Sequence, residues 1–543
     1  MDFTRALDYV EERVGSALRK SEKHFAATVL TLFLVSLCVR LWAAPSGIVL
    51  REDGFIYLLK AIEITRGNFS PLLSRSIGWP LFMSPMLGLL DVEDVFQGMR
   101  YARLISEFLG ALTIIPLAYV GLRLFECRYT LMLLALFAFS PGLVESSGAA
   151  TSESLFIILL LMMVYFMMKS LEDVRYALLS AVFGALSYYV RPNGIFSLFI
   201  VLSSILVLRG NINGLRIRHY VYIILVFSVV SAPFLLQRHS YFGSAFYYGE
   251  NSKYFADSYE QVWCGNIQPP SLTEYVRTHS LSEYHRKFVF DGLARIIINI
   301  MYSTHPVITA LFAYGIFRHG IEEKYIPMTA VFLAWIIGFT PTWDVFERMR
   351  HLWPLIPFML VFATSSVREL LWGRRHAMTI ILILLAVMTY HSFIEVAGNR
   401  DVMLSDDRED GLDWGGWVAG NVRGNAVVVE GEDLVMMNLP DTIVGGVDDT
   451  IHTYISPSGL NTSQPGCFED FNSSMEWFNE NGVTHIIVEE SHMYKRPYLR
   501  EVLYGSGKPY LTEVYSNYDT GKRWRVKAYL INWTLYDGVY DGG

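Results

Sequence analysis

Hydrophobic positions in this chain fall in long blocks rather than in alternation. Apolar stretches run near residues 25–43, 101–124, 130–147, 152–168, 176–190, 194–209, 219–237, 304–318, 325–341, 351–367 and 377–396. At 1.5 Å per residue, such a stretch is about long enough to cross a ~30 Å hydrocarbon layer as a helix. The pattern therefore predicts a polytopic α-helical membrane protein of about eleven spans. Residues 79–90 form a further short apolar stretch. Ahead of the first span, Phe3, Leu7, Val10, Val14 and Leu18 recur at helical spacing between charges, which predicts a helix over 1–24 lying on the membrane surface. No small-residue cleavage site follows the first apolar stretch, so a cleaved signal peptide is not expected.

Beyond residue 397 the pattern changes. Asn425–Glu430 (NAVVVE) and His485–Val488 (HIIV) read as short buried strands, and Trp524–Ile531 alternates like a strand. Ser473–Asn481 and Tyr494–Leu503 read as helices. The expected organisation is a surface helix (1–24), a membrane domain (25–397) with large external loops at 44–100 and 238–303, and an α/β domain (398–543).

Composition supports this division. Hydrophobic residues make up 52% and charged residues 18% of the chain, against about 25% charged in soluble domains. The net charge of −8 is uneven: residues 398–543 hold 11 basic and 23 acidic residues, whereas the remainder holds 33 and 29. The acidic tail excludes nucleic acid as a partner, since phosphate binding needs a basic face. Basic residues set the orientation. Lys20 and Lys23, Arg123 and Arg128, Lys169 and Arg175, Arg209 with Arg216 and Arg218, Arg318 with Lys324, and Arg368 with Arg374 and Arg375 fall in alternate loops. Those loops and the N-terminus are expected in the cytoplasm, and an odd span count puts the tail outside. Asn68, Asn461, Asn472 and Asn532, each in an Asn-x-Ser/Thr triplet, all fall on the external side. Of four cysteines, Cys38 reads as apolar core, and Cys264 and Cys467 can pair if both lie outside.

The chemistry-bearing residues collect on that same side. Arg51-Glu52-Asp53-Gly54-Phe55-Ile56-Tyr57 follows the first span, Glu145 and Glu153 flank a later external turn, Arg191-Pro192-Asn193-Gly194 makes the next, and Glu347-Arg348-Met349-Arg350-His351 precedes the tenth span. No charge stands at mid-span. Carboxylates and arginines at a membrane surface suit a lipid-phosphate donor. Guanidinium forks neutralise phosphate, and a carboxylate accepts the proton of an attacking hydroxyl. Plainer roles stand beside these: Asp53 as a solvated loop residue, Glu153 as the start of a helix after Thr151 or Ser152, Arg191 as a snorkelling side chain, Arg350 as a span anchor, and Tyr57 as packing.

The chain resembles the GT-C superfamily of polyprenyl-phosphate-sugar-dependent glycosyltransferases, in the branch of protein O-mannosyltransferases and lipid A aminoarabinose transferases. The resemblance covers roughly residues 25–400. It rests on Asp53 with Tyr57 and Ala61, Gly67, Gly78-Trp79-Pro80-Leu81, the Arg103–Phe125 stretch, Ser140-Pro141-Gly142, Thr151-Ser152-Glu153, Arg191-Pro192-Asn193-Gly194, and Arg350-His351 with Pro354 and Pro357. It implies an inverting transfer from a dolichyl or undecaprenyl phosphate sugar, mannose being the most familiar, to a protein, glycan or lipid on the non-cytoplasmic face. Asp53 matches the catalytic aspartate, and Arg350 the donor-phosphate arginine, with Arg191 beside it. Glu153 matches a polar position nearer the donor site, and Glu153, Tyr57, His351 and Glu52 are the candidate substrate-binding residues. Glu52-Asp53-Gly54 departs from the family's frequent Asp-Glu, and His351 stands where Tyr is common. Whether a divalent cation (Mg or Mn) is shared by Asp53 and Glu153 stays open. Asp413-Trp414-Gly415-Gly416-Trp417 is only a look-alike of the Trp-Trp-Asp-x-Gly motif of oligosaccharyltransferase catalytic subunits. A secondary transporter, whose inverted repeats and broken helices are not evident here, and a membrane scaffold are the other classes weighed.

Overall fold

The computed structural model describes residues 24–44, 50, 52–72, 75–90, 92, 95–212, 214–246, 255–258, 261, 270–341, 343, 349–372, 374, 376–404, 408–429, 435, 443–448, 451–455, 460–463, 466–490, 493, 496–505, 507–522 and 524–540. Residues 1–23 of the surface helix expected over 1–24, and Arg51, Cys264, Glu347 and Arg348, lie outside the described residues.

The helices in chain order are α1 (Phe25–Ala43), α2 (Glu52–Thr65), α3 (Gly78–Leu89), α4 (Val95–Leu112), α5 (Ile114–Leu124), α6 (Cys127–Ala138), α7 (Pro141–Gly148), α8 (Glu153–Lys169), α9 (Arg175–Val190), α10 (Phe196–Val207) and α11 (Ile217–Phe242). After them come α12 (Leu272–Thr278), α13 (Leu281–His285), α14 (Arg295–Tyr302), α15 (Pro306–His319), α16 (Ile326–Phe339), α17 (Ile356–Leu371), α18 (Ala377–Leu404), α19 (Arg408–Asn421) and α20 (Phe471–Glu480). Helix starts follow proline: Pro141, Pro306, Pro327 and Pro357 each sit in the first two positions of a helix. There the missing N–H costs nothing and the fixed φ suits the turn.

A helix or a bent helix pair lies over each of the eleven apolar stretches. Among the described residues, five are long and apolar enough to cross a membrane, and six if α6 and α7, bent by 53°, count as one. Their outward faces are apolar: Leu30, Val229, Leu236 and Ile383 are all exposed. In water such a surface is unfavourable, whereas in lipid it is solvated. The chain is a multi-pass integral membrane protein. Cys38 is exposed on α1 rather than buried as expected, because the face of α1 that turns inward carries Ser36 and Arg40.

Arg40, Arg103 and Glu107 are buried within the helical body, a feature the hydrophobic pattern did not signal. Arg40 of α1 donates to the Ser36 and Ala138 carbonyls. Arg103 Nε of α4 donates to the Gly148 carbonyl at 3.0 Å. Glu107 lies between them, within electrostatic reach of both. Buried charges survive only where paired, and these tie α1 to the end of α6 and α4 to the turn that precedes Glu153.

The C-terminal part carries, among the described residues, a seven-stranded sheet in the order β2-β3-β4-β1-β5-β7-β6. The strands are β1 (Gly424–Val428), β2 (Ile443–Asp448), β3 (Ile451–Ile455), β4 (Leu460–Ser463), β5 (Val483–Glu489), β6 (Leu511–Ser516) and β7 (Val526–Ile531). β1 is parallel to β4 and β5, and the other pairs are antiparallel. Alternation sorts the side chains. Ala426, Val428, Ile487 and Ala528 pack with Trp414 and Val418 of α19 in the core that continues into the helical body. Val427, Ile486, Val488 and Tyr529 pack with Phe471 and Met475 of α20. The segment read as a helix over Tyr494–Leu503 is a 3₁₀ turn (Pro497–Leu499) and one α turn (Arg500–Leu503). The backbone of β2 runs beside α2, so the sheet reaches the helix that carries Asp53.

Candidate active site

Asp53 is the second residue of α2, and close packing fixes where it points. A Cβ on Gly54 would stand 2.5 Å from the Ala149 carbonyl oxygen, so α2 rests directly on the turn between α7 and α8. That turn is held from the other side. Ala150 takes a left-handed φ of 55°, and its carbonyl accepts from Trp79 Nε1 at 2.9 Å. Gly78, at the start of α3, abuts the Tyr189 carbonyl near the end of α9. The Gly78-Trp79-Pro80 motif thus clamps two turns, one leading to Glu153 and one to Arg191.

Arg191 ends α9 in an extended conformation, and its carbonyl accepts the Gly194 N–H at 2.9 Å. Only glycine fits at 194, since a Cβ there would stand 2.3 Å from the Tyr188 nitrogen. The turn swings the Arg191 side chain onto Glu153: Nη1 lies 2.5 Å from Glu153 Oε1 and 3.4 Å from Ser152 Oγ. Glu153 is the first residue of α8 and is buried. There the helix dipole favours its charge, so the plain helix-start role and the ion pair coexist.

Asp53 is bracketed by two guanidiniums. Arg75 Nε and Nη2 both donate to Oδ1, at 2.9 and 2.5 Å. Arg350 Nη1 pairs with Oδ2. Arg350 sits in a 3₁₀ turn (Met349–Leu355) ahead of α17 and also feels the charge of Glu153. Its Nε is buried with no hydrogen-bond partner among the described residues. Burial pushes the Asp53 carboxyl upward, but Arg75 and then Arg350 outweigh it and hold it well below the usual carboxylate range. Tyr57, one helical turn from Asp53, is buried in the same field; burial and then the Asp53 charge push its phenol up.

Asp53, Glu153, Arg191 and Arg350 therefore converge from four separate segments. His351 packs inward, its ring 5.4 Å from Phe339 and its carbonyl accepting from Trp335 Nε1. Glu145 Oε2 accepts from Asn399 Nδ2 of α18 at 3.4 Å. Nothing is described of the Glu52 side chain. Arg75 was missed in the sequence, where it is one arginine in a loop; its place four residues before Trp79 was the only signal. Among the described residues no three His, Cys, Asp or Glu side chains come together as a metal site. Each carboxylate of the cluster already faces an arginine rather than the other carboxylate. The five charges sum to one net positive.

An apolar cavity of about 1120 Å³ opens among α6, α14, α15, α16, α17 and α18. Ile300, Met301, Phe312 and Leu360 line it, as do His305, His391 and Glu395.

No family model and no curated protein matches this chain by sequence. Solved structures do. ArnT from Cupriavidus metallidurans, bound to undecaprenyl phosphate, aligns with TM-score 0.58 and 12% identity over 92% of this chain and 97% of that one. The oligosaccharyltransferase AglB from Archaeoglobus fulgidus, in complex with an inhibitory peptide and a dolichol-phosphate, aligns with TM-score 0.55 and 14% identity over 93% and 74%. An apo oligosaccharyltransferase structure from the same organism gives TM-score 0.56 and 14% identity over 86% and 69%. The chain shares the fold of these structures, and the alignment over almost the whole length of ArnT takes in both the helical body and the C-terminal sheet.

Proposed function

We propose that this GT-C chain is an inverting glycosyltransferase that moves a sugar from a polyprenyl phosphate to an acceptor hydroxyl on the non-cytoplasmic face. The observation that carries the reading is the Asp53 carboxylate set between Arg75 and Arg350, with the Arg191–Glu153 pair beside it. In the reaction, the acceptor oxygen bonds to the anomeric carbon, the bond from that carbon to the phosphate oxygen breaks, Asp53 takes the hydroxyl proton, and polyprenyl phosphate leaves. Arg350, with Arg191 near it, neutralises the leaving phosphate. Tyr57 and Glu153 orient sugar or acceptor. The apolar cavity is large enough for several isoprene units of the donor tail.

Eleven spans and an external tail complete the proposal. Cys467 is disulfide-bonded, which suits an oxidising compartment and supports the orientation read from the basic loops. An oligosaccharyltransferase-like reading draws on the AglB likeness. Against it, Trp414 of the Asp413–Trp417 look-alike is fully buried on α19, 6.2 Å from Trp524, which is a packing position. The test is incubation of purified full-length protein with radiolabelled undecaprenyl- and dolichyl-phosphate sugars, mannose first, and a panel of peptide, glycan and lipid acceptors. Transfer supports the reading. Failure with all donors while transport of the same compounds proceeds would favour a transporter.

A further inference from the structure

We infer that Arg75 is a positioning residue that acts on the donor through Asp53, and that the donor phosphate turns the site on by drawing Arg350 away from Asp53. The inference rests on the function proposed above and adds an order to it.

The two arginines hold Asp53 in different ways. Arg75 commits two N–H groups to a single oxygen, Oδ1. Arg350 reaches Oδ2 with Nη1 alone, leaves its buried Nε without a partner among the described residues, and lies within the field of Glu153 as well. Arg350 is therefore the movable partner. The donor phosphodiester offers two unesterified oxygens to a planar fork and can engage Nε and a terminal nitrogen together, whereas Asp53 Oδ2 meets Arg350 at Nη1. Arg75 is the fixed partner.

Charge sets the sequence of events. The cluster holds Arg75, Arg191 and Arg350 against Asp53 and Glu153, one positive charge in excess. A phosphodiester-linked sugar brings one negative charge and neutralises it. As Arg350 turns to the phosphate, Asp53 Oδ2 is vacated while the Arg75 fork keeps the carboxylate ionised and oriented. The acceptor hydroxyl can then donate to Oδ2. Before the donor arrives, both carboxylate oxygens are engaged and Asp53 is a poor base. Donor binding thus precedes productive acceptor binding.

The test is a double-mutant cycle on the affinity of the full-length protein for undecaprenyl phosphate. The proteins are wild type, R75Q, D53N, the double variant and R350Q, with R75K to report folding. Arg350→Gln weakens binding by about tenfold or more, the loss of a charge-assisted pair. Asp53→Asn tightens binding, by roughly tenfold, since Arg350 no longer has to leave a carboxylate. Arg75→Gln weakens binding in the presence of Asp53, and that effect shrinks to within about twofold in the Asp53→Asn background. The acid limb of transfer also moves up in Arg75→Gln by about one pH unit or more, because burial then acts on Asp53 with less opposition. Arg75→Lys keeps the charge without the fork and shows a smaller move. Equal effects of Arg75→Gln with and without Asp53 would mean that Arg75 touches the phosphate, and would overturn this inference alone. Unchanged or weaker binding by Asp53→Asn would overturn the exchange of Arg350. A wild-type protein that binds neither undecaprenyl nor dolichyl phosphate would overturn the proposed donor itself.

Discussion

Replacing Arg191 by Gln isolates what the Arg191–Glu153 pair contributes. Glu153 is 2% exposed and Arg191 Nη1 is 2.5 Å from Oε1. Removing the guanidinium leaves a buried carboxylate whose nearest remaining cation, Arg350, is already paired with Asp53. Breaking a buried ion pair from one side costs about 3–5 kcal/mol, and the field of Arg350 favours the lower end. With an unfolding entropy of ~2.1 cal/mol/K per residue, a cooperative chain of 543 residues shifts by about 1 °C per kcal/mol. Thermal unfolding in a fixed detergent should therefore drop by roughly 3 °C for R191Q. In R191Q/E153Q no buried charge is stranded, and most of the loss returns, to within about 1 kcal/mol of wild type. Transfer activity does not return in the double variant, because the charge that helps hold the donor is still missing. A double variant as unstable as R191Q alone would refute the reasoning that Glu153 is the group Arg191 neutralises.

Other expectations follow from single features of the structure. Gly54→Ala places a methyl 2.5 Å from the Ala149 carbonyl; relief displaces Asp53 by about 1 Å and lowers turnover on the order of 10²-fold, with a stability cost of about 1–3 kcal/mol, and an unchanged turnover number would contradict the packing argument. Cys467 should resist maleimide labelling in the native protein until a reductant is added, because it is disulfide-bonded; labelling without reductant would remove that support for an external tail. Asp470 caps α20, its Oδ1 accepting the Ser473 N–H at 2.7 Å, so Asp470→Ala should cost about 1 kcal/mol in a thermal melt and leave undecaprenyl phosphate affinity unchanged. On acidification the contribution of Asp53 persists below its ordinary carboxylate range, because its carboxyl is held low by Arg75 and Arg350. Its share of stability is present above the unfolded value of about 3.9 and is lost only as pH falls through the lower folded value; a loss centred above pH 5 that disappears in Asp53→Asn would contradict this.

The membrane body was legible because its signal is coarse. A long apolar block reads as a span wherever it falls, and helices lie over all eleven blocks. The strands at 424–428, 483–489 and 526–531 were legible for a similar reason, as short apolar runs bounded by glycine and polar residues. What the chain did not reveal are contacts between distant segments. Arg75 stands in a loop with no periodicity around it, and only the folding of that loop over α2 brings its fork to Asp53. Arg40, Arg103 and Glu107 sit within apolar stretches, where a few charges do not reveal their role until the carbonyls of Gly148 and Ala138 and the partner charges are seen beside them. Cys38 looked like core because a span is apolar all round, and hydropathy alone does not say which side meets lipid.

The central claim is that Asp53 takes the proton of the acceptor during transfer from a polyprenyl phosphate sugar. The direct measurement is single-turnover transfer from a radiolabelled undecaprenyl- or dolichyl-phosphate sugar by wild type and Asp53→Asn at saturating donor. The account predicts that the rate falls by about 10²–10⁴-fold, while the donor still binds at least as tightly as to wild type. Transfer by Asp53→Asn at the wild-type rate would contradict it.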